Sequence, residues 1–246
     1  MLIPLRKKRF TDHVVEQLRE FILDRHLDPG QKLPPDTELA ETFNVSRGTI
    51  REALHVLEHD GLVRIKKGPG GGIFVSEGNF FQVIEAVSLA MRREQVGFEE
   101  LLEARKSVED RIARLAAVRA TRKDLESLAR TLGRMEKLGA DQGLFVHWDT
   151  DFHLTLAKAA KNKILLMFMT TLKEIHNRVI SQVHLREDLF PSAVRYHQRI
   201  YEAVKKKDPE KASQVMIDHL DYFEKRFREQ MREEKLSPRV AELPRG

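Results

Sequence analysis

Ile50, Ala53, Leu54 and Leu57 recur three and four residues apart, so a helix through them buries one stripe and leaves Arg47 and Arg51 one turn apart on another face. Upstream, Val15, Leu18, Phe21 and Ile22 mark an earlier helix that Thr11 or Asp12 can cap and that "LDPGQKLPP" ends. A short helix over about 36–43 follows, with Leu39 and Phe43 one turn apart. Asn44-Val45 is read as a tight turn, Ser46 as the N-cap of the next helix, and Asp60-Gly61 as its stop near residue 59. "LVRIKK" and "GIFVS", joined through Gly68 to Gly72, then predict a two-stranded hairpin. Three helices closed by a hairpin make a winged helix-turn-helix over residues 1–76, with 77–79 as a linker.

Beyond residue 80 the periodicity is helical throughout, without a convincing strand or an internal repeat. Helices are expected over about 80–93, 98–120, 122–138, 142–161, 163–185, 190–206 and 208–233. The expected fold class is therefore mainly α: an N-terminal winged helix-turn-helix, then an antiparallel all-helical bundle over 80–233. The proline-broken segment 234–246 is expected to fray.

Composition narrows the chemistry. A chain of 246 residues accommodates two domains with real cores. There is no cysteine, which excludes disulfides, thiol nucleophiles and cysteine-built zinc fingers. The apolar run "ILLMFM" is far short of the about 20 residues a membrane span needs, and the N-terminus lacks the apolar core and cleavage site of a signal peptide. A cytoplasmic location without a membrane partner is expected. The net charge of +5 is weak evidence alone, because residues 1–76 carry 12 Lys and Arg against 11 Asp and Glu. Placement says more: Arg6 to Arg9 open the chain, and Arg47, Arg51, Arg64, Lys66 and Lys67 gather around the third helix and the hairpin.

In a helix-turn-helix the second helix of the motif enters the major groove, where arginine donates two hydrogen bonds to guanine O6 and N7. Arg47 and Arg51 sit in the first turns of that helix. Ser46, Thr49 and the backbone N–H groups of the helix start can hold phosphate oxygens, and Lys66 and Lys67 on the wing can reach flanking phosphates or the minor groove. The bland alternative, two solvated arginines and a hairpin that only covers a core, does not account for helix, turn, cap and basic wing in this order.

At these residues, "KLPPDTELAETFNVSRGTIREALHVLEHDGLVRIKKGPGGGIFV" resembles the DNA-binding domain of GntR-type bacterial transcription regulators, over essentially all of 9–76. The resemblance implies that Arg47 and Arg51 read a double-stranded operator, with Ser46, Gly48 and Thr49 near its backbone and Lys67-Gly68 at the wing tip. Pro35 and Thr37 stand where the family usually has serine and arginine, so the second helix is expected to lack its hydroxyl cap and one DNA contact.

In "FVHWDTDFHLTLAKAAKN", Asp149 and His153 are four residues apart and share an apolar face with Phe145, Phe152, Leu156 and Ala160, whereas His147 and Asp151 lie toward the wetter side. His197 sits among Val194, Ile200, Tyr201 and Val204, and His219 among Val215, Met216 and Phe223. Three imidazoles and a carboxylate on core-facing stripes are costly to bury unless something binds them. Neutral imidazole with one carboxylate suits a divalent metal: zinc first, with nickel, manganese or iron as alternatives. Taken singly, each histidine reads as a hydrogen-bonded core residue. The region 80–232 resembles the effector domain of the FadR branch of the same family through "EARKSVEDRIARLAAVRAT", "DFHLTLAKAAKN" and "YHQRIYEAVKKKDPEKASQVMIDHL". That resemblance implies metal ligands at Asp149, His153, His197 and His219, and a cation for a small organic-acid effector at Arg105.

The competing reading of Arg105 is a surface ion pair with Glu109, and Asn162 reads as a helix C-terminus rather than a ligand contact. The expectation is a homodimeric regulator, not an enzyme, that binds a pseudo-palindromic operator and responds to a metabolite. A metal-responsive repressor and, less favoured, a metalloenzyme joined to a DNA-binding head are the alternatives.

Overall fold

The computed structural model describes residues 10–24, 27–76, 81–137 and 141–234. The expected linker at 77–79, the basic run Arg6 to Arg9 and all of the expected tail except Glu234 fall outside them. The chain divides into two compact units, Met1–Glu85 and Ala86–Gly246.

The first unit contains α1 (Phe10–Asp24), α2 (Asp36–Phe43), α3 (Arg47–His59), β1 (Val63–Lys66) and β2 (Gly72–Val75). The strands are antiparallel, in a register that pairs Val63 with Val75 and Lys66 with Gly72. One core serves all five elements: Val14, Leu18 and Ile22 of α1 meet Leu39 of α2, Ile50, Leu54 and Leu57 of α3, and Val63, Ile73 and Val75 of the hairpin. The turn after α2 works because Asn44 takes the left-handed conformation, φ 51°. In the wing, a Cβ on Gly71 would stand 2.5 Å from the Lys66 carbonyl oxygen and 2.7 Å from that of Gly68, so only glycine fits. The cap expected at Thr11 or Asp12 is not there: α1 already includes Phe10, so both lie within the helix, and the Thr11 hydroxyl donates to Glu52 Oε2 across to α3 at 2.9 Å.

The second unit is all-helical among its described residues: α4 (Phe81–Arg93, which begins before the division), α5 (Phe98–Arg119), α6 (Arg122–Met135), α7 (Gln142–Ala159), α8 (Lys163–Ile180), α9 (Leu189–Lys205) and α10 (Pro209–Glu233). α10 packs on α5 and α9, and α5 also packs on α7 and α8, so one interior is lined by α5 and α7 to α10. No helix among the described residues is long and apolar enough to cross a membrane.

One expected boundary shifts by five residues, and one expected role changes. α8 stops at Ile180 instead of reaching 185, because side-chain amides take over the backbone there: Gln142 donates to the Val183 carbonyl and accepts from Leu185 N, at 2.9 and 2.7 Å. Val183 and Leu185 are buried in this turn-and-bend segment, which is why their apolar spacing continued the helical pattern. Asn162 does not end a helix but starts one. Its Oδ1 accepts from Ile164 N and Leu165 N at 3.1 Å as the N-cap of α8.

Candidate functional site

In the first unit, the segment before α3 presents the expected polar residues at its surface. Ser46 caps α3, accepting from Thr49 N at 3.1 Å, and its hydroxyl also meets that of Thr49 at 2.9 Å. Arg47 and Arg51 stand 55% and 62% exposed at the side chain, and both are held by one carboxylate, Asp36 at the start of α2. Pro35 is the N-cap of α2 and supplies no side-chain hydrogen bond, as the departure from the family pattern implied. Gly48, Lys66, Lys67 and Gly68 are exposed, and the Lys66 ammonium lies 5.3 Å from the centre of the Phe74 ring.

In the second unit, Asp149 and His153 on α7, His197 on α9 and His219 on α10 converge, each offering one ligand atom within 4.8 Å of the others. His197 Nε2 is 3.2 Å from His153 Nε2, 3.1 Å from His219 Nε2 and 3.5 Å from Asp149 Oδ1. Those three neighbours surround an atom that carries at most one proton, so hydrogen bonding alone cannot satisfy the set. Imidazole nitrogens that share an ion at about 2.1 Å lie about 3.0–3.4 Å apart, which is the spacing found. The four residues fit a divalent cation.

Glu109 stands behind this cluster. Its Oε2 meets His153 Nδ1, which leaves the His153 Nε2 lone pair directed at the other ligands. Its Oε1 accepts from Arg105 Nε and Nη2 at 3.0 and 2.7 Å. Arg105 and Glu109 are 2% and 1% exposed, so the expected surface ion pair is a buried one. Lys173 of α8, 1% exposed, donates to Asp149 Oδ2, while Oδ1 faces the histidines. His197 and His219 are held by rings instead: Phe152 stacks on His197 at 4.2 Å, and Tyr196 lies 5.5 Å from His219.

The electrostatics follow from burial and these pairs. Burial alone would raise the Asp149 and Glu109 carboxyls, but Lys173 and the imidazoles hold Asp149 well below the usual range, and His153 with Arg105 does the same for Glu109. Burial pushes His197 and His176 well below the usual imidazole range and His219 down to about 3. Lys173 is also lowered by burial, against the pull of Asp149. With the imidazoles neutral, as metal ligation requires, Arg105 and Lys173 would balance Glu109 and Asp149.

A cavity of about 30 Å³ adjoins the cluster, lined by Arg105, Asp149, Lys173, His176, Asn177 and His219 among others. His176 is buried there with neither ring nitrogen bonded among the described residues. Lys173 and His176 were not singled out from the sequence, and Glu109 was read only as a surface partner of Arg105. The signal existed: Glu109 continues the stripe of Leu101, Leu102, Arg105, Ile112 and Ala113 on α5, and Lys173 and His176 lie between Met169 and Ile180 at helical spacing on α8.

A pH dependence follows for the metal-free protein. His176, His197 and His219 are neutral when folded but take up protons near pH 6.5 when unfolded. The unfolded chain therefore binds more protons below that pH, and stability is lost as pH falls from about 6.5 toward the depressed folded values. Each histidine adds a slope of up to about 1.4 kcal/mol per pH unit. Thermal melts of chelator-treated protein between pH 7 and 5 should show falling midpoints, and a flat profile would contradict buried neutral imidazoles.

Comparison with known proteins matches the same two units. The model of "Bacterial regulatory proteins, gntR family" matches residues 10–75, and the FCD domain matches 100–222. The chain is 34% identical over 200 residues to the Uxu operon regulator of Haemophilus influenzae, covering 78% of this chain and 72% of that protein. It is 33% identical over 208 residues to the HTH-type transcriptional regulator LutR of Bacillus subtilis, covering 82% and 94%. Among solved structures it resembles Streptococcus agalactiae GntR, with a TM-score of 0.65 and 25% identity, over 87% of this chain and 98% of that one.

Proposed function

Because the chain belongs to the GntR family of bacterial regulatory proteins, with an FCD domain after its winged helix-turn-helix, we propose that it is a transcriptional regulator whose operator affinity is set by a small carboxylate bound beside a divalent metal. Its residues 1–76 would form the DNA-binding domain and 80–233 the metal- and effector-binding domain, acting as a homodimer. The observation that carries this reading is the charge balance of the buried cluster. Two cations, Arg105 and Lys173, pair with two carboxylates, Glu109 and Asp149, and metal ligation requires neutral imidazoles, so a bound divalent ion brings extra positive charge into the interior, which an anionic ligand offsets.

Asp149, His153, His197 and His219 would hold the metal, and Glu109 would fix the His153 ring. The metal, when bound, supplies Lewis acidity and open positions for oxygen ligands. Arg105 and Lys173 line the adjoining cavity as cations for a carboxylate, and His176 offers it a hydrogen bond. The cavity, about 30 Å³, has room for water but not for an organic acid, which enters only with displacement of its lining. That displacement is the differential contact through which effector binding would change the placement of the DNA-binding units.

In the first unit, Arg47 and Arg51 would read base edges in the major groove, with Ser46, Gly48 and Thr49 near the phosphates. Arg47→Ala or Arg51→Ala is expected to cost about 1–3 kcal/mol at the cognate operator and to relax base preference. Lys67→Ala should weaken binding to all sequences and flatten the salt dependence. Equal, sequence-independent losses for all three in gel-shift titrations would refute these roles.

The effector reading is tested by thermal-shift screening of metal-loaded and chelated protein against organic acids, amino acids, sugar acids and fatty acyl compounds, followed by operator-binding titrations with each hit. A carboxylate is expected to raise the midpoint only with metal present and to alter operator affinity. Stabilisation by the metal alone, with operator binding indifferent to every acid, would favour a metal-responsive repressor instead.

A further inference from the structure

Arg47 and Arg51 do not stand free in solvent. Arg51 Nε donates to Asp36 Oδ2 at 2.9 Å, and Arg47 Nη2 reaches Asp36 Oδ2 at 3.2 Å and Oδ1 at 3.4 Å. Asp36 is the first residue of α2, where the helix dipole favours an anion, and its carboxylate is 24% exposed beneath two arginines more than twice as exposed. Hydrogen bonds from Arg51 and Arg47 hold this carboxyl below its ordinary range against the opposing effect of burial. The pairing is selective in its atoms. By engaging Nε of Arg51, Asp36 leaves the terminal Nη1 and Nη2 fork of that side chain uncommitted, and this is one of the edges that arginine offers to guanine O6 and N7.

We infer that Asp36 is a specificity-determining positioning residue, which holds Arg51 of α3 through Nε with its terminal fork free for a base edge and deters both arginines from salt-bridging to phosphates. This deepens the proposed function and rests on its premise that Arg51 reads bases. Exposed ion pairs contribute little to stability, so the effect of Asp36 lies elsewhere. Two long side chains that sample many rotamers lose less freedom on docking when a shared acceptor already restricts them. A carboxylate at the DNA-facing surface also repels phosphates, which weakens binding to every sequence. A correctly placed guanine compensates through the preset arginine, and a wrong base does not. The operator is favoured by this difference and not by total attraction.

The experiment uses the full-length protein and a duplex that the wild type selects from a random pool, compared with a shuffled duplex of the same composition. Asp36→Ala is expected to tighten binding to the shuffled duplex, to steepen its salt dependence by about one unit as an arginine becomes available to phosphate, and to lower the ratio of selected to shuffled affinity on the order of tenfold. Asp36→Glu, which keeps the carboxylate, should restore most of the ratio. In an Arg51→Ala background, Asp36→Ala should change the ratio little, because the side chain it positions is gone.

Each failure points to a different statement. If Arg51→Ala leaves the ratio unchanged, or the wild type selects no sequence, the base-reading role of α3 is wrong. If Arg51→Ala lowers the ratio while Asp36→Ala tightens both duplexes equally, Asp36 is only a competing anion, and its role in specificity is overturned. A thermal melt matching wild type shows that the Asp36→Ala domain is folded.

Discussion

Alanine at His197 or His219 is expected to strip most of the metal and to abolish the effector response, with operator binding by the separate winged unit largely retained. Each imidazole supplies one of four converging donors, and both are fully enclosed, so no water-exposed side chain can substitute. The loss in metal affinity should exceed the about 10–100-fold that follows from disturbing a residue behind a ligand. Glu109→Gln provides that comparison. It keeps the shape next to His153 but removes the charge that fixes the ring, and should fall within the about 10–100-fold range. His147→Ala is the negative control, since His147 lies on the exposed side of α7, edge-on to Trp148. Elemental analysis and operator titrations of the four variants check the set, and equal metal content in His147→Ala and His219→Ala would refute it.

Arg105→Met is expected to destabilise the bundle strongly. It removes two hydrogen bonds from a carboxylate that is 1% exposed and leaves that charge to His153 alone. Breaking one side of a buried pair costs about 3–5 kcal/mol, and the remaining imidazole contact argues for the lower end. Replacing both partners, Arg105→Met with Glu109→Leu, should recover much of that loss in stability, because no unpaired charge then remains, while metal affinity stays low. Denaturant melts of the single and double variants distinguish the cases. A double variant as unstable as the single would mean that Arg105 acts through packing and not through charge.

The fold was legible where one signal governed each element. Stripes such as Ile50, Ala53, Leu54 and Leu57, the cap at Ser46 and the Asn44 turn placed the winged unit nearly to the residue, because local chemistry and tertiary burial agree there. The end of α8 was missed because Val183 and Leu185 kept an apolar rhythm, while the Gln142 and Gln230 side chains that end the helix come from distant helices. In the candidate site, the converging quartet was visible because histidine is conspicuous on an apolar stripe. Glu109, Lys173 and Asp36 were not, because charged residues on helices are usually solvated, and only the packing of α5, α7 and α8 shows two of them enclosed. Arg105 was singled out through the family resemblance, but its burial and its two-bond contact with Glu109 needed the packed bundle.

Metal content decides whether the buried quartet is a metal centre. Elemental analysis of the full-length protein, purified without chelator, should find about one divalent ion per chain, and chelated protein should take up one equivalent of zinc, nickel or manganese. Protein that carries no metal and takes up none of the three would contradict the account. The histidines would then be a hydrogen-bonded core, and any effector would have to be recognised through Arg105, Lys173 and His176 alone.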